Sequence, residues 1–135
     1  MKKIIALALV VVMLFTLASC GISRKSDKLK EKLEKKYGDD VSVTVADKEL
    51  SIGIIAAMFD LDADDIDCIL SISLDDEGEG FVIYCKDAKA AKEVKNDCKD
   101  YVDDNDLKDE DILVKKSGKT IFVGEKDLWK KIKGV

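Results

Sequence analysis

Residues 68–85 read CILSISLDDEGEGFVIYC. Two runs rich in β-branched and aromatic side chains flank a polar, glycine-containing segment, which is the pattern of a β-hairpin. Side chains alternate between the faces of a strand. Pairing Leu74 with Phe81 therefore predicts that Cys68, Leu70, Ile72, Leu74, Phe81, Ile83 and Cys85 share one apolar face. That face needs cover. Asp87 can cap a helix over 88–102, in which Ala91, Val94, Cys98 and Tyr101 recur at helical spacing.

The same logic extends in both directions. Downstream, ILVKKSGKTIFV predicts a hairpin turning at Ser117-Gly118, with Val114 opposite Ile121 and Ile112 opposite Val123. A helix over 125–133 follows, with Leu128, Trp129 and Ile132 inward. Upstream, VSVTVADKELSIGI over 41–54 predicts a hairpin closed at Asp47-Lys48, since Val41, Val43, Val45, Leu50, Ile52 and Ile54 would then share a face. A short helix over 55–61 follows it. Before these, Ser26 is a plausible cap for a helix over 26–37, with Leu29, Leu33 and Tyr37 on one stripe and Glu31 reaching Lys35. The expected class is α+β, with antiparallel hairpins forming a sheet packed against helices on its apolar face. Strand–strand–helix recurs three times, so an internal duplication is an open reading.

Charge is unevenly placed. Residues 21–59 hold eight basic and seven acidic side chains, residues 60–111 six and 19, and residues 112–135 seven and two. So acidic a middle is repelled by phosphate backbones, which argues against a nucleic-acid partner. The chain has no His. The commonest general base and metal ligand are thus absent, and Ser-His-Asp or Cys-His nucleophiles are excluded. Paired-carboxylate hydrolysis stays formally open, but these acids fall in loop-like runs with few aromatics to raise a carboxyl pKa. No enzyme and no cofactor are expected.

Three constellations have competing readings. Asp60, Asp62 and Asp64 alternate as in a calcium loop, yet Asp65 stands where an EF-hand needs Gly and Ser71 where it needs Glu. Asp104 and Asp106 belong to a second acidic run. These five are weak candidates for loose divalent-cation binding, against the plainer reading of acidic turns. Cys68, Cys85 and Cys98 lack C-x-x-C spacing and fall on apolar faces, where a free thiol is a small hydrophobe. A disulfide between two of them is the alternative. Trp129 is read as core, with ligand stacking the sharper option.

The N-terminus reads MKKIIALALVVVMLFTLASC. Lys2 and Lys3 precede an uncharged run from Ile4 to Leu17, shorter than the roughly 20 residues a lasting span needs. Leu17-Ala18-Ser19-Cys20 resembles the lipobox of bacterial lipoproteins, and the Lys-rich, Pro-free body is similar to lipoproteins of Gram-positive bacteria. The resemblance implies a signal peptide over 1–19, with Cys20 as the lipidated first residue of the mature chain. Residues 20–40 would then be anchor and basic helix, and 41–135 a small α+β domain on the outer face of the cell membrane.

The functional expectation is a lipid-anchored extracytoplasmic binding domain. Its partners would be the membrane, through Cys20, and an envelope protein or cell-wall component. The alternatives are a loose calcium binder and a carboxylate-dependent envelope hydrolase. Seven basic residues against three acidic ones over 24–37 are expected to lie near an anionic membrane, joined by the C-terminal lysines if the fold brings them there. Replacing Cys20→Ala is expected to abolish labelling by a palmitate analogue; continued labelling would overturn the anchor.

Overall fold

Two long apolar strands with no polar face cannot sit at the surface of a sheet, and their pairing sets the architecture. The computed structural model describes residues 24–133; the side chains of Arg24, Lys25, Asp27, Lys108 and Asp109 are not described. The signal segment 1–19 and Cys20 lie outside the described residues. The elements are α1 (Arg24–Tyr37), β1 (Val41–Ala46), α2 (Glu49–Met58), β2 (Ile66–Leu74), β3 (Gly78–Cys85), α3 (Ala88–Asp104), β4 (Ile112–Ser117), β5 (Thr120–Glu125) and α4 (Lys126–Ile132). They build an α+β domain around one antiparallel five-stranded sheet in the order β1-β2-β3-β5-β4.

The sheet is covered on both faces, not one. Ile69, Phe81, Ile83, Ile121 and Val123 pack under α2 and α3. Leu70, Ile72, Val82, Tyr84 and Phe122 pack under α1 and α4. This corrects the β2–β3 register. Leu74 pairs with Gly78, not Phe81, across a connection of Asp75, Asp76 and Glu77 in which Asp76 is left-handed. The three-residue slip moves Phe81, Ile83 and Cys85 to the face opposite Leu70 and Ile72. In a strand buried on both sides the apolar residues occupy both parities, so parity alone does not discriminate register. A bulge between Ile66 and Cys68 then leaves Asp67 exposed and turns Ile66 to the α2–α3 side.

The expected hairpin over 41–54 does not form. β1 pairs instead with β2, from Val41 opposite Leu74 to Ala46 opposite Ile69. Residues 49–58 are helical because their apolar side chains satisfy both periods: Ile52, Ile55, Ala56 and Phe59 make a buried helical stripe. The β4–β5 turn lies at Gly118-Lys119, one residue later than expected, with Gly118 left-handed. Val114 consequently faces Val123, a two-residue slip that keeps Ile112, Val114, Ile121 and Val123 on one face. Ser26 lies inside α1 and does not cap it. The two strand–strand–helix units end in helices on opposite faces, α3 and α4, so they are not superposable copies.

Asp87 caps α3 as expected, its Oδ1 accepting from the Ala90 N–H at 2.7 Å. Phe59 meets Phe81 and Tyr101 edge-on, at centroid distances of 5.5 and 5.0 Å. Leu33 of α1 is fully buried against the sheet, so the basic helix is itself a layer of the fold. Among the described residues, the side chains that close both cores lie between Leu29 and Ile132, and a chain starting at Gly21 contains all of these.

One close approach holds the α4 layer in place. Gly80 faces Gly124 across β3–β5, and the Phe122 ring lies over the pair. A methyl on Gly80 would come within 2.9 Å of that ring, and one on Gly124 would strike the Gly80 backbone. Gly124→Ala is expected to destabilise the domain by about 1–3 kcal/mol, read from urea unfolding. An unchanged midpoint would mean that the strands can part at no cost.

Candidate functional site

Even spacing along three strands brings Val82 and Tyr84, Thr120 and Phe122, and Lys115 and Ser117 to one side of the sheet. Helical spacing does the same on the helices, for Lys28, Leu29 and Lys32 on α1 and for Trp129 and Ile132 on α4, with Lys133 just past the end of α4. Together these residues line a cleft of about 350 Å³ between the two helices, within the roughly 300–1,000 Å³ range of small-molecule sites. Tyr84 and Phe122 are buried in its floor and Trp129 is half-buried in its wall. The Phe122 and Trp129 rings lie 5.2 Å apart, tilted by 38°. The Tyr37 hydroxyl donates to the Lys131 carbonyl at 3.0 Å, tying the end of α1 to α4.

Lys28, Lys32, Lys115 and Lys133 are exposed around the mouth, and no carboxylate is among the described lining residues. Burial, and then the neighbouring Cys68, push the Tyr84 phenol well above its usual range, so it stays a neutral hydroxyl. The opposite end of α4 is a contrast. There a hollow of about 500 Å³ is lined by Asp75, Asp76, Glu77, Glu79, Glu125 and Asp127. Glu125 accepts from the Glu79 N–H at 2.6 Å, and Lys131 reaches Glu77 at 3.7 Å. α4 thus runs from an acidic hollow to a basic mouth.

The acidic candidates fall in two connections. Asp60, with φ of +56°, Asp62 and Asp64 lie between α2 and β2; Asp62 accepts from the Asp64 N–H at 3.0 Å, as a turn cap. Asp104 ends α3, and Asp106 is left-handed in the turn that follows. Among the described residues no group of three or more His, Cys, Asp or Glu could hold a metal ion. Asp60, Asp62 and Asp65 act on α3 electrostatically. Partial burial first, then Asp100, Asp65, Asp60 and Asp62, raise the Asp97 carboxyl above its usual value. Asp65 itself meets Lys86 at 3.6 Å.

The other nucleophiles are shut away. Cys68, Cys85 and Cys98 are buried thiols. Cys68 faces the α1–α4 core while Cys85 and Cys98 face the other, so the sheet separates Cys68 from the remaining pair. Burial, with nearby aspartates, pushes the thiols of Cys85 and Cys98 up to about 12, which keeps them protonated and unreactive at neutral pH. The Ser71 hydroxyl is fully buried and has no hydrogen-bond partner. Leu50, Gly53, Ile54 and Ala57 form an apolar strip along the outer side of α2, with Leu50 66% exposed.

The sequence reading takes Trp129 as core, and the structure half-buries it against the α1–α4 core in the cleft wall. The lysines of both terminal helices are expected to face a membrane, and the cleft that unites them is not foreseen. Its signals were present: Lys28 and Lys32 one helical turn apart, and the alternation of Thr120 with Phe122. The expected β2–β3 register puts Phe81, Ile83 and Cys85 on the face of Leu70 and Ile72, whereas Val82 and Tyr84 share that face. No protein family, curated protein or solved structure matches this chain.

Asp97 and Asp100 are a like-charge pair three residues apart on α3. A carboxyl whose folded pKa is raised contributes stability that is fully present below the unfolded pKa and lost as pH rises through the folded one. Asp97→Asn is therefore expected to stabilise the domain at pH 7 by roughly 0.2–0.5 kcal/mol. The gain should vanish well below pH about 4, where the Asp97 carboxyl is protonated in both the folded and the unfolded chain. Thermal melts at the two pH values check this, and a gain that persists in acid would contradict it.

Proposed function

We propose that the chain is a lipid-anchored, non-catalytic binding domain on the outer face of the cell membrane, and that the cleft between α1 and α4 is its binding site. The observation that carries the reading is the construction of the cleft. Its floor is aromatic and apolar, its mouth is basic, and its lining includes the only Trp of the chain. Pockets of this make-up, largely apolar with a few polar groups that fix orientation, are the usual form of ligand sites.

Binding is favoured over catalysis by what surrounds the reactive groups. With no His in the chain, a nucleophile would need another base, and the Cys85 and Cys98 thiols and Ser71 hydroxyl lie in a core without access to substrate. The lipobox-like tetrapeptide ending in Cys20 supports the tether, and α1 starts four residues after it. A lipid on Cys20 would tether the cleft by a short length of chain, since Lys28 at its mouth is eight residues further on.

A neutral apolar fluorophore, N-phenyl-1-naphthylamine, tests the site without regard to charge. The chain from Gly21 on should bind it with enhanced emission and with quenching of Trp129 by energy transfer. Thr120→Phe, which fills the cleft from its half-buried wall, should remove both effects while leaving the melting temperature within a few degrees. Equal binding by the filled variant would refute the cleft as the site.

A further inference from the structure

We infer that the cleft takes an anionic amphiphile, its charged head held by the lysines at the mouth and its apolar part laid on the aromatic floor. The inference rests on the cleft being a ligand site and names the ligand's chemistry. Charge complementarity is the first argument. The chain carries net charge −5, yet four lysines gather around this one opening, and no carboxylate is among the described residues that line it. Uncompensated cations around a concave apolar surface focus a positive potential where an anion can also leave bulk water, which strengthens the attraction.

The second argument is the order of the lining. Lys28, Lys32, Lys115 and Lys133 are exposed at the rim, whereas Tyr84 and Phe122 are more than nine-tenths buried at the floor. A small inorganic anion would satisfy the rim and leave the aromatics without a partner. A neutral hydrocarbon would cover the aromatics and leave four ammonium groups uncompensated. A ligand with one charged end and one apolar end uses both.

A nucleic acid, which meets the charge condition, fails on the rest of the surface. The acidic hollow beside Glu77 and Asp127 lies at the other end of the same short helix, α4 (Lys126–Ile132), and a polyanion running past the cleft would meet it. A small ligand avoids that end. Two sources offer the required chemistry, a monomeric anionic amphiphile and the head region of an anionic membrane lipid. A tether at Cys20 would hold the mouth near the second at high effective concentration.

The test displaces bound N-phenyl-1-naphthylamine from the chain beginning at Gly21, so the site itself is established before charge is examined. Dodecyl phosphate below its micelle concentration should displace the fluorophore at about tenfold lower concentration than dodecyl maltoside, and added salt should erode the difference. Inorganic phosphate should displace nothing. In the variant K28Q/K32Q/K115Q/K133Q the fluorophore should still bind while the preference for the anionic detergent disappears. Vesicles with phosphatidylglycerol that displace the fluorophore, where phosphatidylcholine vesicles do not, assign the ligand to the membrane. Displacement by the monomeric amphiphile alone assigns it to a soluble source, and either result supports the inference. Equal potency of the two detergents, displacement by phosphate alone, or an unchanged preference in the Gln variant would overturn it. Failure of the fluorophore to bind at all would instead remove the proposed site.

Discussion

The pairing of β2 with β3 is the interaction on which the other layers depend. Ile69 opposite Ile83 and Leu70 opposite Val82 put apolar side chains on both sides of the same two strands. Neither side can face water, so each needs helices. α2 and α3 cover one side while α1 and α4 cover the other. β1 and β5 extend the pair outward, and β4 closes the far edge with exposed Lys115 and Lys116. Charged side chains on an edge strand discourage pairing with another chain.

How far the sequence could be read depends on whether a segment's pattern had one solution or two. The helix over 88–104 had one: an Asp cap and a single apolar stripe, Ala91, Val94 and Cys98, which matches the buried side. The segment 49–58 had two, because Leu50, Ile52 and Ile54 alternate while Ile52, Ile55 and Phe59 follow the helical period. Pairing of β1 with β2 removed the strand option, and that contact is invisible locally. β2 and β3 also had two registers, since both parities are apolar. There the deciding information lay in the connection, where Leu74 turns through Asp76 into Gly78. The candidate site inherited these ambiguities. Lysines and Trp129 could be recognised as types, but their meeting over Tyr84 and Phe122 needs the correct register of three strands.

Segregation of charge becomes a property of the folded molecule only through topology. The basic helix α1 and the basic end of α4 lie on one side of the sheet, brought together by the Tyr37 hydroxyl on Lys131 and by Leu33, Leu128 and Ile132 in a common core. Asp60, Asp62 and Asp65 of the connection between α2 and β2 gather on the other side with Asp100 of α3, close enough to raise the Asp97 carboxyl. The acidic turn after β2 occupies one end of α4 and the lysines the other. Charges of one sign destabilise one another, but keeping them apart from the basic cleft leaves its potential uncancelled.

The floor and the rim of the cleft answer to different constraints. Phe122 covers Gly80 and Gly124, and Tyr84 and Val82 belong to the same core cluster, so the floor is part of what holds α4 on the sheet. Changing it changes stability as well as affinity. The four lysines are exposed and lie outside the apolar core, so they can be altered with little effect on folding. On the proposed reading, affinity for an apolar body would be built into the fold itself, whereas selectivity for the head would reside in side chains free to vary. Coupling runs in the other direction too. A ligand that rests on Tyr84 and Phe122 binds only when α1 and α4 are docked, so occupancy stabilises the native layer by mass action.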